Sequence, residues 1–285
     1  MNRSKESIER MSAYYKNYAS IFKKEGTSIN KGVAYSMHIG YRDDNNFPGQ
    51  GESASELMEK KLIKDADLHD GQQILDAGCG TGTLGFEITS LYPKAKVYGV
   101  DFLDNHLRVA YQQQVDFPTV FFSKQDYLNL AFRDNSFDRI FFCESLIHAQ
   151  DKSKLLLEAS RVLKPGGKII IADIFMLNDD LSEEDQLGLS ALRKEAGIPN
   201  FENFYTFTQQ LIKLNFQNIL CQNITGSIAA TIPTISSTEQ DISTLYSLST
   251  ESIALLKLGG LLSTIGNLFV KNHAGYFVIT ADIQK

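Results

Sequence analysis

The run Ile74-Leu75-Asp76-Ala77-Gly78-Cys79-Gly80-Thr81-Gly82 constrains this chain more than any other stretch of it. A strand-like segment leads straight into a loop with three alternating glycines. Glycine admits positive φ and leaves room for a ligand against the backbone, so such a loop makes a cofactor shelf at the end of a strand. A tight strand-to-helix turn with no ligand is the plainer alternative. The dinucleotide fingerprint is spaced G-x-G-x-x-G and rests a pyrophosphate on a helix N-terminus. Here the spacing is G-x-G-x-G, and position 83 is Thr. Asp76, two residues before the first glycine, repels a pyrophosphate and suits an ammonium group, which favours a zwitterionic methionine moiety.

From about Gln72 to Asp173, short β-rich runs alternate with helical patterns, as in βαβ units stacked around a parallel sheet. The strand candidates are QILDA, KVYGVD, TVFFS, FDRIFFC and KIIIAD, mostly without polar alternation, as strands buried on both faces are. Leu84, Ile88 and Leu91 recur at helical spacing, as do Leu155, Ala159 and Val162, so helices cover the sheet. Further strands at 216–225 and 274–283 complete a set of seven. Helices are expected at about 52–65, at 182–196 behind the capping pattern Ser182-Glu-Glu-Asp185, and at 207–214. The expected fold class is α/β: a Rossmann-like, seven-stranded, mostly parallel sheet with helices on both faces, in one domain spanning 1–285. Its parts are an N-terminal helical cover (1–70), the core (71–225 and 274–285) and a helical lid insertion (226–273), too long for a simple connection. Within that insertion, Ile253–Val270 reads as a buried or lid helix pair, interrupted by Lys257 and two adjacent glycines.

Composition excludes several classes. A net charge of -6 argues against a broad phosphate-binding surface, so no nucleic-acid partner is expected. Three cysteines, far apart in sequence, have neither metal-ligand spacing nor the density of a disulfide scaffold, so no metal is expected and a reducing, cytoplasmic setting is. The N-terminus lacks the apolar run of a signal peptide, and no stretch has the length of a membrane span.

Two more carboxylates follow strands. Asp101 ends KVYGVD, where it can accept hydrogen bonds from a ribose diol, and Asp126 follows the third strand, where it can accept from an adenine amino group. Each alone also fits a helix cap or a loop residue; three at successive strand ends converge on one edge of the sheet. The segments LDAGCGTG, VD, QDYLNLAFRDNSFD and RVLKPGGKIIIAD together resemble the class I S-adenosylmethionine methyltransferases over about 105 residues. That resemblance implies S-adenosyl-L-methionine as cofactor. Its methionyl group would lie on Asp76, Gly78, Cys79, Gly80, Thr81 and Gly82, its ribose on Asp101, and its adenine on Asp126 and Tyr127. Phe102, beside Asp101, and Glu144, after the fourth strand, join the implied cofactor set. The resemblance further implies an antiparallel last strand and an N-terminal helix lying over the cofactor, with Tyr14 or Tyr15 in contact with it as well as packing.

The segments Glu144–Asp151, Tyr35–Tyr41 and Ala274–Tyr276 are similar to the rebeccamycin-type natural-product O-methyltransferases, a subgroup that also includes carbon methylation and a member recruited for ring formation. This implies methyl transfer to a small-molecule acceptor, with a natural-product hydroxyl as one choice and the carbon of an isoprenoid, quinone or polyketide, or cyclisation, as the other. His148 is the leading candidate general base, because imidazole titrates near neutrality; packing within its loop is the alternative. Two adjacent histidines stand here in the relatives, and this chain has Ile147 in place of the first. Asp173, ending KIIIAD, either orients His148, holds the acceptor or caps a helix; His38 either lines the acceptor pocket or is structural. Leu255, Leu256, Leu258, Leu261 and Leu262 would give an apolar lid for a partly hydrophobic acceptor, or a homodimer interface.

Overall fold

The computed structural model describes residues 5–24, 35–42, 53–229, 231 and 250–285. After helix α1 (Lys5–Lys24) and helix α2 (Ala54–Asp65), strands and helices alternate: β1 (Gln73–Ala77), α3 (Thr83–Leu91), β2 (Lys96–Asp101), α4 (Asp104–Gln113), β3 (Val120–Lys124), β4 (Phe137–Cys143), α5 (Lys152–Val162) and β5 (Leu163–Met176). Helices α6 (Glu183–Ala196) and α7 (Phe204–Lys213) lead into β6 (Phe216–Asn223), a short α8 (Thr225–Ala229), α9 (Thr250–Val270) and β7 (Ala274–Ile283).

The strands form one sheet in the order β3-β2-β1-β4-β5-β7-β6. β1 to β5 pair in parallel, and β7 inserts antiparallel between β5 and β6, as the resemblance implied. Because β1 lies between β2 and β4, the chain reverses its direction of winding there and opens a crevice at the carboxyl ends of these strands.

Alternate residues of the strands feed two cores. Ile74, Val97, Phe141, Ile170 and Val278 face α2 and α9 through Met58, Leu62, Ile265 and Leu268. Leu75, Val100, Ile140, Ile171 and Ile279 face α5 and α7 through Leu155, Leu156, Phe207 and Leu211. Burial on both faces explains the near-continuous apolar strands.

Local signals fix the helix starts. Ser53 and Glu56 form a reciprocal capping box on α2, and the Ser182 side chain accepts from the Asp185 amide to open α6. The insertion differs from expectation: α9 is one continuous helix rather than a pair. Its glycines cost local helix propensity, but the helix is held by packing against α1, α6 and β7, with Thr264 3.2 Å from where a Cβ on Gly188 of α6 would sit. Residues 230 and 232–249 of the expected lid, and the side chains of Leu255 and Leu256, lie outside the described residues. Lys164–Gly167 falls within the start of β5, where the pairing register with β4 shifts. No helix among the described residues is long and apolar enough to cross a membrane.

Candidate active site

A cavity opens over the carboxyl ends of β1, β2 and β4, the position the strand reversal dictates. Gly78, Cys79, Gly80 and Thr81 form its floor, and Asp76, Asp101, Phe102, Tyr127, Glu144, Tyr15 and His148 line it. The glycines are required by geometry. Gly78 has φ +85, and a Cβ there would sit 2.4 Å from Cβ of Ser145. Gly82 stands apart from the cavity: it has φ +90, and a Cβ would strike the Phe122 ring at 2.5 Å, so its role is close packing under the loop.

The cavity is strongly acidic. Asp76 is buried, its Oδ2 lacks a hydrogen-bond partner among the described residues, and burial, with the charges of Glu59 and Asp101, raises its pKa to about 7. Glu144 is raised to about 7 chiefly by burial; its Oε1 accepts from the Ile39 amide at 2.8 Å and the Tyr276 hydroxyl at 2.9 Å. Buried carboxylates held half-neutral in this way are suited to a cationic ligand.

The segment 35–42 crosses the cavity, fastened by side chains. Thr81 Oγ1 donates to the Tyr35 carbonyl at 2.7 Å, while Glu59 Oε1 accepts from Ser36 Oγ at 2.8 Å and Thr83 Oγ1 at 2.6 Å and lies 3.2 Å from His38 Nε2. Burial acts to lower the His38 pKa, but the hydrogen bond and charge of Glu59, with Glu144, outweigh it and raise it. His38 does line the cavity. Glu59 and Met37 line it too and carry no sequence signature, being an ordinary helix residue and one position of a segment whose path only the fold sets.

The base candidate lies on a 3₁₀ turn, Leu146–His148, directly after β4. The hydroxyl of Tyr15 reaches over from α1 to within 3.0 Å of His148 Nε2. Burial is the main cause that keeps the Tyr15 pKa well above its ordinary value, so it is a neutral phenol. Asp173 does not reach the cavity. Its Oδ2 accepts from the Ile147 amide at 2.9 Å and its Oδ1 from the Ile174 amide at 2.8 Å, so it fixes the backbone of the turn rather than the imidazole. Burial raises Asp173 to about 7 against those hydrogen bonds. From the far side the buried Lys152 ammonium donates to the Ala149 carbonyl at 2.7 Å and to the Asn200 carbonyl and Oδ1 at 2.8 and 2.9 Å.

Three other expectations change. Asp126 is not on the cavity wall; its Oδ1 accepts from the Leu128 amide at 3.0 Å and shapes the turn after β3, while the neighbouring Tyr127 lines the cavity and donates to the Ser145 carbonyl at 2.7 Å. Tyr14 points away, edge-on to Tyr15 and packed with Ile147, Ile198 and Leu258. Among the described residues of α9 none lines the cavity: Leu258, Leu261 and Leu262 pack with Tyr14 instead, because α9 rests on α1 and α6. His106 enters the site unannounced, lining the cavity from α4 with Nδ1 3.3 Å from Asp101 Oδ2.

A family profile described as a methyltransferase domain matches residues 68–227, more than half of the chain. The chain belongs to this methyltransferase family. Among curated proteins, methyltransferase GfsG of Streptomyces halstedii is 31% identical over 174 residues, covering 59% of this chain and 62% of that protein. An O-methyltransferase of Aspergillus nomiae is 32% identical over 147 residues, covering 50% of this chain and 65% of the other. The match thus spans less than two thirds of the length of these relatives. Among solved structures, phosphoethanolamine N-methyltransferase 2 of Haemonchus contortus, in complex with S-adenosyl-L-methionine, superposes with a TM-score of 0.68 at 23% identity, covering 85% of this methyltransferase-family chain and 55% of that one. That likeness establishes a shared fold.

Proposed function

We propose that this chain transfers a methyl group from S-adenosyl-L-methionine to a small-molecule acceptor, with a natural-product hydroxyl as the nucleophile. The observation that carries the reading is the Tyr15 hydroxyl 3.0 Å from His148 Nε2, on the wall of an acidic, glycine-floored cavity. The residues fit the cofactor: the orphaned Asp76 Oδ2 suits its ammonium, the glycine floor leaves no Cβ in its way, and Asp76, Asp101, Glu59 and Glu144 together favour its positive charge. When bound, S-adenosyl-L-methionine supplies a methyl group on a cationic sulfur, a ready electrophile.

The chain's own residues then have two tasks. Phe102 and Tyr127 give flat walls for the base, and Asp76 and Asp101 hold the polar groups, which fixes the line of attack and contributes several kcal/mol of orientation, on the order of 7 at best. His148 is the proton acceptor. Tyr15, neutral because it is buried, relays: its oxygen takes the acceptor's proton as its own proton passes to His148 Nε2. This hydroxyl from α1 compensates for the first histidine of the pair, whose place Ile147 takes. Asp173 and Lys152 hold the turn that carries His148. A cytoplasmic setting is consistent with the free thiols of Cys79, Cys143 and Cys221.

The test is to present the purified protein with a panel of hydroxyl acceptors and methyl-labelled cofactor, reading S-adenosylhomocysteine release and the methyl position by NMR. An oxygen-bound methyl is expected. A carbon-bound methyl would move the chemistry to the second subgroup activity, and tight cofactor binding without release under any acceptor would point to a ligand-binding or ring-forming role.

A further inference from the structure

Asp101 is more heavily engaged than a diol-binding carboxylate needs to be. Its Oδ1 accepts from the Leu103 amide at 2.7 Å; its Oδ2 accepts from the Gly80 amide at 2.9 Å and lies 3.3 Å from His106 Nδ1. A carboxylate offers about four acceptor sites, so with three taken about one is left. A ribose diol brings two hydroxyl donors. Asp101 alone is therefore one acceptor short of the diol.

His106 has that acceptor to offer. It is 3% exposed, lines the cavity, and its Nε2 has no hydrogen-bond partner among the described residues. The Asp101 carboxylate only accepts, so Nδ1 is the nitrogen that donates to it; the tautomer with its proton there leaves a lone pair on Nε2. The ring is held in place: Tyr15 packs edge-on against it, with centroids 4.8 Å apart. An unmade hydrogen bond on a buried nitrogen is costly, which gives a ligand hydroxyl reason to fill it.

We propose that His106 is a cofactor-binding residue that divides the ribose diol with Asp101: one hydroxyl donates to the remaining site on Asp101, the other to Nε2 of His106. The assignment rests on the cofactor reading above and concerns only how the nucleoside is recognised. It makes the site selective for ribose over deoxyribose through two residues instead of one.

The experiment is calorimetric titration of the whole protein with S-adenosylhomocysteine and its 2′-deoxy and 3′-deoxy analogues. The parent should bind each deoxy analogue about 3- to 10-fold more weakly than the ribose compound, the loss of one net hydrogen bond. His106→Asn keeps a donor for Asp101 but has no atom at the Nε2 position, and one of the two deoxy analogues should then bind as well as the ribose compound. His106→Gln, which can present an acceptor near the Nε2 position, should keep part of the discrimination; a thermal melt confirms that both variants fold. If His106→Asn retained the parent's discrimination against both analogues, or the parent discriminated against neither, the assignment would be overturned while the cofactor reading stood. An analogue altered at the adenine amino group that alone lost its penalty in His106→Asn would overturn the ribose assignment too. Absence of any binding to the parent would instead overturn the cofactor reading, and this assignment with it.

Discussion

The hydroxyl of Tyr15 lies 3.0 Å from Nε2 of His148, joining residues 133 positions apart across the mouth of the cavity. One comes from the first helix and the other from a turn after β4, so the pair proposed to accept the proton forms only when α1 is docked on the core.

This pairing predicts different outcomes for its two members. His148→Ala should lower the methyl-transfer rate by about 10²–10⁴-fold while leaving the S-adenosylhomocysteine dissociation constant nearly unchanged. Tyr15→Phe, which keeps the ring packing against His106 and Tyr14, should lose about 10-fold or more in rate, as expected for a relay rather than the final base. Initial rates with saturating cofactor check both, and a Tyr15→Phe variant as active as the parent would remove the relay.

Asp76→Asn keeps the shape of the side chain and removes its charge. Loss of a charge-assisted contact to the cofactor ammonium should weaken binding about 10- to 100-fold. The ligand-free variant should melt at a higher temperature than the parent at pH 8, because it no longer carries a buried, incompletely bonded carboxylate. Calorimetry and thermal denaturation read the two effects separately.

The ligand-free protein should lose stability as pH rises from about 4 to about 7. Asp76 and Glu144 titrate near 7 when folded, against 3.8 and 4.5 as ordinary values, and Asp173 behaves like Asp76. A folded pKa above the unfolded one means the folded state binds more protons through that window, so the stabilisation present at low pH is lost as pH rises. A cationic ligand favours the ionised carboxylates. Cofactor affinity should therefore rise through pH 7 and level off above it, with protons released on binding, measurable by calorimetry in buffers of different ionisation enthalpy. An affinity flat from pH 6 to 8 would contradict the acidic cavity as the ammonium site.

Lys152→Met should destabilise the protein by about 1–3 kcal/mol, since it keeps the stem but leaves the Ala149 and Asn200 carbonyls without their buried donor. The same variant should slow methyl transfer more than it weakens cofactor binding, because the turn bearing His148 loses one of its two anchors. Denaturant unfolding and a comparison of rate with dissociation constant test this.

The cofactor end of the site was readable because its requirements are local. A glycine that must take φ +85 beneath Ser145, and a carboxylate at a strand end, are written within a few residues of one another. Asp126 is different. It follows β3 as its spacing suggests, but its Oδ1 accepts from the Leu128 amide and the residue is absent from the cavity wall, and a short polar side chain that bonds its own backbone leaves no mark in the sequence. Asp173 reads as a strand end in the sequence, but β5 runs on to Met176, and the carboxylate acts on the Ile147 amide, one residue away from the imidazole that is one of its candidate partners.

The sequence by itself determined the parallel core, the glycine shelf, and the strand-end positions of Asp76 and Asp101, because apolar periodicity and glycine stereochemistry act between near neighbours in the chain. Only the tertiary structure decided that Glu59 and His106 line the cavity, that α9 rests on α1 and α6, and that Tyr15 meets His148. Each of these depends on how helices dock across the sheet. Docking is set by the summed burial of many apolar contacts, and no single residue in the chain encodes it.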